Sequence, residues 1–170
     1  MALPFKLKFM NLFNDATSYM GEVAEVVLPK LTRKMEEWRG GGMARPLMID
    51  LGGEALTLEW TCGGIMRDAL KQYGTTKHDG VQLRFAGSYR AEDKDEPVAV
   101  EVVIRGRHSE IDMGTAKVGD DTAFKVVSQV SYYKLTIDGE VVIEIDVLGM
   151  IEKVNGVDLL AKDRKAIGMA

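Results

Sequence analysis

The sequence predicts a mostly β protein in which two antiparallel sheets pack together as a sandwich or half-barrel, with one flanking helix and a short C-terminal helix. Three observations support this class. Apolar and polar residues alternate over several long runs, which is typical of strands with one buried face. Turn pairs that contain glycine separate these runs, and helical spacing is confined to short segments.

The clearest strand pair occupies residues 122–148 and turns at Asp138-Gly139. After the turn, β-branched residues alternate with acidic ones and share one face, namely Val141, Ile143, Ile145 and Val147. Before the turn, Tyr133 and Leu135 meet Val141 and Ile143 on that face if the loop contains three residues. We therefore expect a loop of Ile137, Asp138 and Gly139, with Gly139 as a left-handed bulge.

Earlier strands follow in chain order. Residues 5–13 alternate as a strand, and Asn14-Asp15 has turn chemistry. Residues 21–28 form a second β-like segment, whereas residues 31–39 alternate poorly and predict no element. Alternation returns in residues 54–62, where Leu56, Leu58 and Trp60 share the expected core face.

A long hairpin is predicted in the middle of the chain. Residues 81–85 alternate as the first strand, residues 91–96 form a charged tip, and residues 98–104 alternate as the second strand. The following stretch, residues 106–121, has an irregular pattern. The sequence thus predicts a loop between this hairpin and the next one.

Two short helices complete the prediction. Residues 65–73 have apolar side chains at helical spacing, and Gly74 offers a C-terminal stop. Asn155-Gly156 turns the chain near its end. Asp158 can cap a short helix there, whose apolar residues are Leu159, Leu160 and Ile167.

Composition describes one ordinary globular domain over residues 1–170. The net charge of −4 provides no overall basic field that would collect nucleic acid. Cys62 is the only cysteine, which excludes an internal disulfide and fits a reducing compartment. Lysines interrupt the apolar N-terminal segment, and no apolar run is long enough to span a bilayer. We expect no membrane anchor and a protein that is made and stays in a cytoplasm until something releases it.

Residue patterns for catalysis, metals and cofactors are missing. His78 lies in a polar turn, and Cys62 has no histidine near it in sequence. His108 precedes Glu110 and Asp112, a spacing that could place three donors on one face of an extended segment, although no fourth ligand accompanies them. We expect no catalytic residue, metal or cofactor. A small hydrolase or a ligand-binding β-sandwich is the alternative class of function.

A glycine-rich segment is the candidate contact surface. The sequence predicts a flexible loop at about 38–50, because a glycine triplet separates charged and apolar residues. Tryptophan and methionine beside arginines on such a loop are typical interface anchors, although a solvated basic face has the same composition. The predicted interface residues are Trp38, Arg39, Gly40, Gly41, Gly42, Met43 and Arg45.

Several runs together resemble the major tail tube proteins of contractile-tailed, temperate myovirus-type bacteriophages. These runs are LPKLTRKMEEWRGGGM at 28–43, RFAGSY at 84–89, VAVEVVIRGRHSEIDMG at 98–114, SYYKLTIDGEVVIEID at 131–146 and MIEKVNGVDLL at 150–160. No single motif is a chemical signature. The order and spacing of five runs over nearly the whole chain carry the resemblance.

The resemblance implies a tail-tube-like fold and a structural role without catalysis. Family members form hexameric rings that stack into a hollow tube inside a contractile sheath, and the genome passes along this tube. The implied partners are other copies of the chain, the sheath, tape-measure, baseplate and tail-terminator proteins, and double-stranded DNA that passes without specific binding. The implied location is the virion. A tube subunit of an R-type bacteriocin or a secretion-type injection system is the alternative.

Strand geometry makes such a conduit plausible. About four strands from each of six subunits, at ~4.8 Å spacing and ~40° tilt, close a circle ~48 Å across, which is wide enough for duplex DNA. A lysine-lined bore would retain phosphates, so neutral or acidic side chains are expected inside, with Arg84 and Arg105 as exceptions. The predicted lumen-facing residues are Thr57, Glu59, Thr61, Glu101, Thr122 and Ser128.

Overall fold

A computed structural model describes residues 1–169 and shows a mostly β protein with two antiparallel sheets and two short helices. The predicted fold class is therefore confirmed. The strands are β1 (Lys6–Asn14), β2 (Thr17–Ser18), β3 (Val23–Val27), β4 (Arg33–Trp38), β5 (Leu47–Gly53), β6 (Leu56–Cys62), β7 (Val81–Arg90), β8 (Val98–Asp112), β9 (Phe124–Ile137), β10 (Glu140–Asp146), β11 (Ile151–Val154) and β12 (Val157–Asp158). The helices are α1 (Arg67–Lys71) and α2 (Ala161–Ala166).

The larger sheet has ten strands and branches at β9. Its main path runs β12-β11-β10-β9-β8-β7-β1-β2. The C-terminal half of β9 pairs with β10, while its N-terminal half pairs with β6, which in turn pairs with β3. The smaller sheet contains only β4 and β5. The long β8–β9 pair is thus the spine from which both wings of the larger sheet extend.

The core lies on one face of this branched sheet. Leu56, Leu58, Trp60 and Cys62 are buried along β6, as their alternation predicted, and Tyr19 and Phe124 stack against Trp60 with ring centroids 5.5 and 6.4 Å away. Other core side chains come from neighbouring strands and α1, namely Leu12, Met66, Ala69, Val81, Leu83, Phe85, Val102, Ile104, Val126 and Tyr133. Burial of these side chains is the main favourable contribution to the free energy of folding of the subunit.

The hairpin at Asp138-Gly139 differs from the prediction in its loop. Asp138 and Gly139 both have positive φ, and Ile137 pairs with Glu140, so the predicted three-residue loop is wrong and the turn has two residues. The bulge follows at Val142, which shifts the register so that Ile143 faces Leu135. Val141 pairs with Thr136 and therefore lies on the opposite face, because alternate residues of a strand point to opposite sides.

Several predicted boundaries also change. The irregular segment begins only after Asp112, because β8 continues along β9 well beyond residue 106. The predicted loop at 38–50 is strand at both ends, since Trp38 pairs with Leu47 and β5 continues to Gly53. Only residues 39–46 connect β4 to β5. Glycine content alone therefore overestimated the loop.

Both helices are shorter than the predicted ones. Asp158 accepts a hydrogen bond from the Leu160 backbone N–H at 3.1 Å, just before α2 begins. Leu159 and Ile167 are exposed beside that helix instead of buried. Among residues 1–169, neither helix has the length and apolar character that a membrane crossing requires.

A polar network crosses the core at His108. The histidine is buried, its Nδ1 lies 2.8 Å from Ser128 Oγ, and its Nε2 lies 3.0 Å from Gln72 Oε1. Gln72 and Asn14 then exchange two amide hydrogen bonds of 2.7 and 2.8 Å. This series of hydrogen bonds connects β1, the C-terminal end of α1, β8 and β9. Burial lowers the pKa of His108 to about 4.

We expect acid to destabilise the subunit through His108. His108 takes up a proton near pH 6.5 in the unfolded chain but only near pH 4 in the folded chain. The stability that depends on neutral His108 is therefore complete above pH 6.5 and is lost as the pH falls from 6.5 to 4. The loss approaches about 3 kcal/mol. Urea unfolding of unassembled subunits at pH 7 and pH 5 measures it. The His108→Gln variant provides the control, and equal pH slopes for both proteins would contradict the prediction.

Gly106 permits the close crossing of β8 and β9. A Cβ atom there would lie 1.9 Å from the backbone oxygen of Gln129, so Gly106→Ala must displace a strand. We expect a loss of about 3 kcal/mol or complete failure to fold, measured as the urea midpoint. Gly63→Ala is the matched control, because a Cβ there meets open space. Similar midpoints for the two variants would refute this explanation.

Candidate assembly surface

The β4–β5 hairpin projects as a separate two-stranded sheet, and nearly all of its residues are exposed. An isolated two-stranded hairpin is only marginally stable in water unless it packs against something. Its exposure in the single subunit therefore identifies it as an element that needs a partner.

One face of this hairpin is an apolar stripe. Trp38 lies opposite Leu47, and Ile49 and Leu51 follow Leu47 at alternate positions. We call Trp38, Leu47, Ile49 and Leu51 the hairpin stripe. Their exposed fractions are 59, 58, 40 and 50%. Contiguous apolar side chains of this kind are typical of surfaces that become buried on association.

The hairpin tip comprises residues 39–46 and is internally bonded. The Gly40 N–H donates to Met43 Sδ at 3.1 Å, and the Met43 N–H donates to the Gly40 carbonyl at 3.3 Å. Arg39 donates to the carbonyls of Met43 and Ala44 at 3.3 and 3.5 Å. Gly42 has a φ of +83°, which glycine adopts without strain. The tip contains two arginines and no acidic residue.

Arg33 anchors the base of the hairpin to the larger sheet. Its Nε lies 2.7 Å from Asp50 on β5, and a guanidinium nitrogen lies 2.7 Å from Glu152 on β11. Hydrogen bonding to Arg33 holds the pKa of Asp50 below its usual range. The hairpin is thus held at its base, while its tip extends away from the body.

The predicted contact residues all lie on this hairpin, although the alternation of β5 was missed. Trp38 ends β4, and Arg39, Gly40, Gly41, Gly42, Met43 and Arg45 belong to the tip. The signal that could have revealed β5 is the placement of Leu47, Ile49 and Leu51 at alternate positions. The two methionines and the nearby glycines obscured that period.

The candidate lumen residues are divided between two faces. Thr57, Glu59 and Thr61 point away from the core along β6, and Glu101 pairs with Ala86 and Thr136 on the corresponding face of β8. Thr122 is exposed just before β9. Ser128 is fully buried beside His108, so the prediction that it faces a lumen is wrong. An extra residue in β9 at Ser131 shifts the alternation relative to Tyr133, so Ser128 lies on the core face with Phe124 and Val126.

The face opposite the core carries charges in opposite-sign pairs. Lys125 lies 3.3 Å from Glu59, and Arg84 lies 3.4 Å from Glu101. Arg105 lies over the Tyr132 ring at 4.8 Å. Lys125, Arg84 and Arg105 therefore have local acidic or aromatic partners, which reduces their availability to a passing polyanion.

The residues considered for chemistry do not converge on one site. His108 points inward, whereas a bulge near Ser109 places Glu110 on the opposite face, so the three-donor arrangement does not form. Among residues 1–169, no group of three His, Cys, Asp or Glu side chains could hold a metal ion. Cys62 is buried, and desolvation raises the pKa of its thiol to about 11.

Solved structures share this fold at low sequence identity. The sheath–tube complex of an extracellular contractile injection system, in its extended state, has a TM-score of 0.58 at 7% identity, covering 78% of this chain and 91% of that chain. The tube-terminating cap of the anti-feeding prophage has a TM-score of 0.58 at 8% identity, covering 81 and 94%. The chain therefore has the fold seen in tube and tube-cap proteins of contractile injection systems.

Sequence comparison defines the family more closely. The tail tube protein of Escherichia phage P2 is 49% identical, covering 99% of this chain and all of the relative. The major tail tube protein of Serratia phage KSP20 is 40% identical, covering 94% of this chain and 92% of the relative. The profile of phage tail tube protein FII matches residues 4–168. The chain belongs to the phage tail tube protein FII family and is a structural subunit of a tail tube, hence a virion component.

Loss of the Arg33 anchor is expected to loosen the hairpin alone. Arg33→Ala removes both ion pairs, so amide hydrogen exchange in β4 and β5 should accelerate several-fold. Global stability should change by less than about 1 kcal/mol, because the pairs are partly exposed. Lys34→Ala on the same strand is the control. Unchanged exchange after loss of Arg33 would show that the base is held by other contacts.

Proposed function

We propose that this subunit assembles into hexameric rings that stack into a hollow tube, through which a double-stranded DNA genome passes. The observation that carries this proposal is the exposed β4–β5 hairpin, whose hairpin stripe has no cover within the subunit. A second copy of the chain can cover it, and repeated copies then produce a continuous assembly. Membership in the tail tube family supports this architecture.

The hairpin forms the contact between subunits in this proposal. Trp38 supplies an aromatic anchor, Met43 supplies adaptable apolar surface, and Arg39 and Arg45 supply charge. Gly40, Gly41 and Gly42 keep the tip narrow, which allows a neighbouring backbone to approach closely. The N-terminal segment, which is exposed at Leu3 and Phe5, adds further contact area.

The bore is lined by the side of the larger sheet that faces away from the core. Its polar candidates are Thr57, Glu59, Thr61 and Glu101, with Thr122 at the sheet margin. Pairing of Lys125 with Glu59 and of Arg84 with Glu101 reduces the release of counterions from DNA phosphates, which would otherwise hold the genome. The conduit therefore passes DNA without specific binding.

The tube functions inside a contractile sheath and meets tape-measure, baseplate and tail-terminator proteins. Its subunits assemble in the host cytoplasm and perform no catalysis. The fold supports this setting, because a structural relative comes from a complex of sheath and tube. A bacteriocin or secretion tube is the second candidate. Both curated relatives are phage proteins, which favours the phage tail.

Electron microscopy of the purified wild-type protein tests the proposal directly. We expect rings with six-fold symmetry and rods with a hollow centre, wide enough for a duplex about 20 Å across. Monomers at all concentrations, or rods without a bore, would contradict it.

Replacement of Trp38 should prevent tube growth without unfolding the subunit. Loss of an interface anchor costs at least about 2 kcal/mol, so Trp38→Ala should raise the critical concentration for assembly at least about 30-fold. Light scattering measures assembly, and urea unfolding checks the subunit. Tyr73→Ala is the matched control, because Tyr73 is also exposed but lies away from the hairpin. Tubes of normal length from the Trp38 variant would count against the hairpin contact.

Removal of Gly40–Gly42 tests the same contact by shape. The deletion shortens the tip but leaves the β4–β5 pairs in place, so the subunit should keep its urea midpoint and lose assembly. Gly41→Ala is the control, since a Cβ there meets open space. Assembly of the deletion variant at the wild-type critical concentration would exclude a role for the tip.

A further inference from the structure

An apolar groove lies at the base of the hairpin, on the side of the larger sheet that carries β10 and β11. Its volume is about 600 Å³. Leu31, Ile143, Ile145, Ile151 and Leu160 are among the residues that form its apolar wall. A cleft of this size with an apolar wall is a typical receptor for side chains of a partner.

The groove is also acidic. Glu54, Asp146 and Glu152 line it together with a single base, Arg33. Arg33 is already occupied by Glu152 and by Asp50. Within the part of the chain that the structure describes, Glu54 and Asp146 have no salt-bridge partner. The groove therefore favours an occupant that is both apolar and basic.

The hairpin tip has that chemistry. Met43 is apolar, Arg39 and Arg45 are basic, residues 39–46 contain no acid, and Trp38 adds an apolar ring at the end of β4 beside the tip. The tip cannot reach the groove of its own subunit. Five residue steps separate Arg33 from Trp38, which at ~3.4 Å per step places the tip about 17 Å from the base.

We propose that the hairpin tip of one subunit docks into the groove of a second copy. Each chain then carries a basic, apolar projection at one point and an acidic, apolar receptor at another. Such a contact is head-to-tail: it closes into a ring if the rotation between copies closes, and otherwise leaves an unused tip and an unused groove at the two ends, so it propagates. This inference rests on the proposed function and names the surface that receives the hairpin.

A second hollow on the subunit fits the tip less well. It measures about 330 Å³ beside Phe9 and Met20, and its walls are almost entirely apolar. Its acidic lining residue is Glu101, which Arg84 already neutralises. This hollow has an apolar wall but no unpaired acidic residue for the arginines of the tip, whereas the larger groove has both.

Charge reversal in two separate proteins tests the pairing. Arg39→Glu with Arg45→Glu makes the tip acidic, and Glu54→Arg with Asp146→Asn makes the groove basic. The asparagine keeps an acceptor for the Gly149 N–H, which Asp146 binds at 3.0 Å. Urea unfolding establishes that each variant folds. We expect each variant alone to require at least a tenfold higher concentration than wild type to form rods.

Mixing the two variants is the decisive measurement. An acidic tip then meets a basic groove, and the unchanged basic tip of the second variant meets the unchanged acidic groove of the first. We expect rods near the wild-type concentration, with the two labelled subunits alternating along the assembly. A mixture as inactive as its components, or a groove variant that assembles normally alone, would overturn the pairing. Absence of rods from the wild-type protein would instead overturn the proposed function, so the two failures are distinguishable.

Discussion

An apolar stripe held in water on a two-stranded sheet is the constraint on which the rest of the structure depends. The core beside the larger sheet buries the apolar side chains of the subunit body, but it leaves Trp38, Leu47, Ile49 and Leu51 exposed. The Arg33 ion pairs fix the base and direct the tip outward. Such a subunit folds as a domain but keeps an apolar stripe in contact with water, and association with another subunit buries that stripe.

The two faces of the larger sheet have separate roles because bulges set the direction of each side chain. An extra residue at Ser131 in β9 places Ser128 on the core face, and another at Ser109 in β8 leaves Glu110 outside. The bulge at Val142 similarly brings Ile143 against the core. As a result, one face holds nearly all the buried apolar area, and the other holds charges in neighbouring opposite-sign pairs.

Sequence periodicity predicted most of the body, because one buried face imposes a period of two on each strand. Leu56, Leu58 and Trp60 were placed correctly on this basis, and so was the Tyr133–Leu135 face. It failed where the period is interrupted: the turn at Asp138-Gly139, the continuation of β8, and Ser128. It also failed for β4, whose mostly charged residues show no alternation, and for β5, where nearby methionines and glycines obscured the period of Leu47, Ile49 and Leu51. The location of the contact residues was predictable from composition, but the groove joins distant segments and was not.

The pairing of β6 with β9 has a consequence for how the subunit forms. Thr57 and Gln129 are 72 positions apart, whereas Arg33 and Asp50 are only 17 apart. Non-local pairing slows folding, while a local hairpin closes within microseconds. The β4–β5 hairpin therefore forms before the body that orients it, so newly synthesised chains pass through a stage that is prone to aggregation.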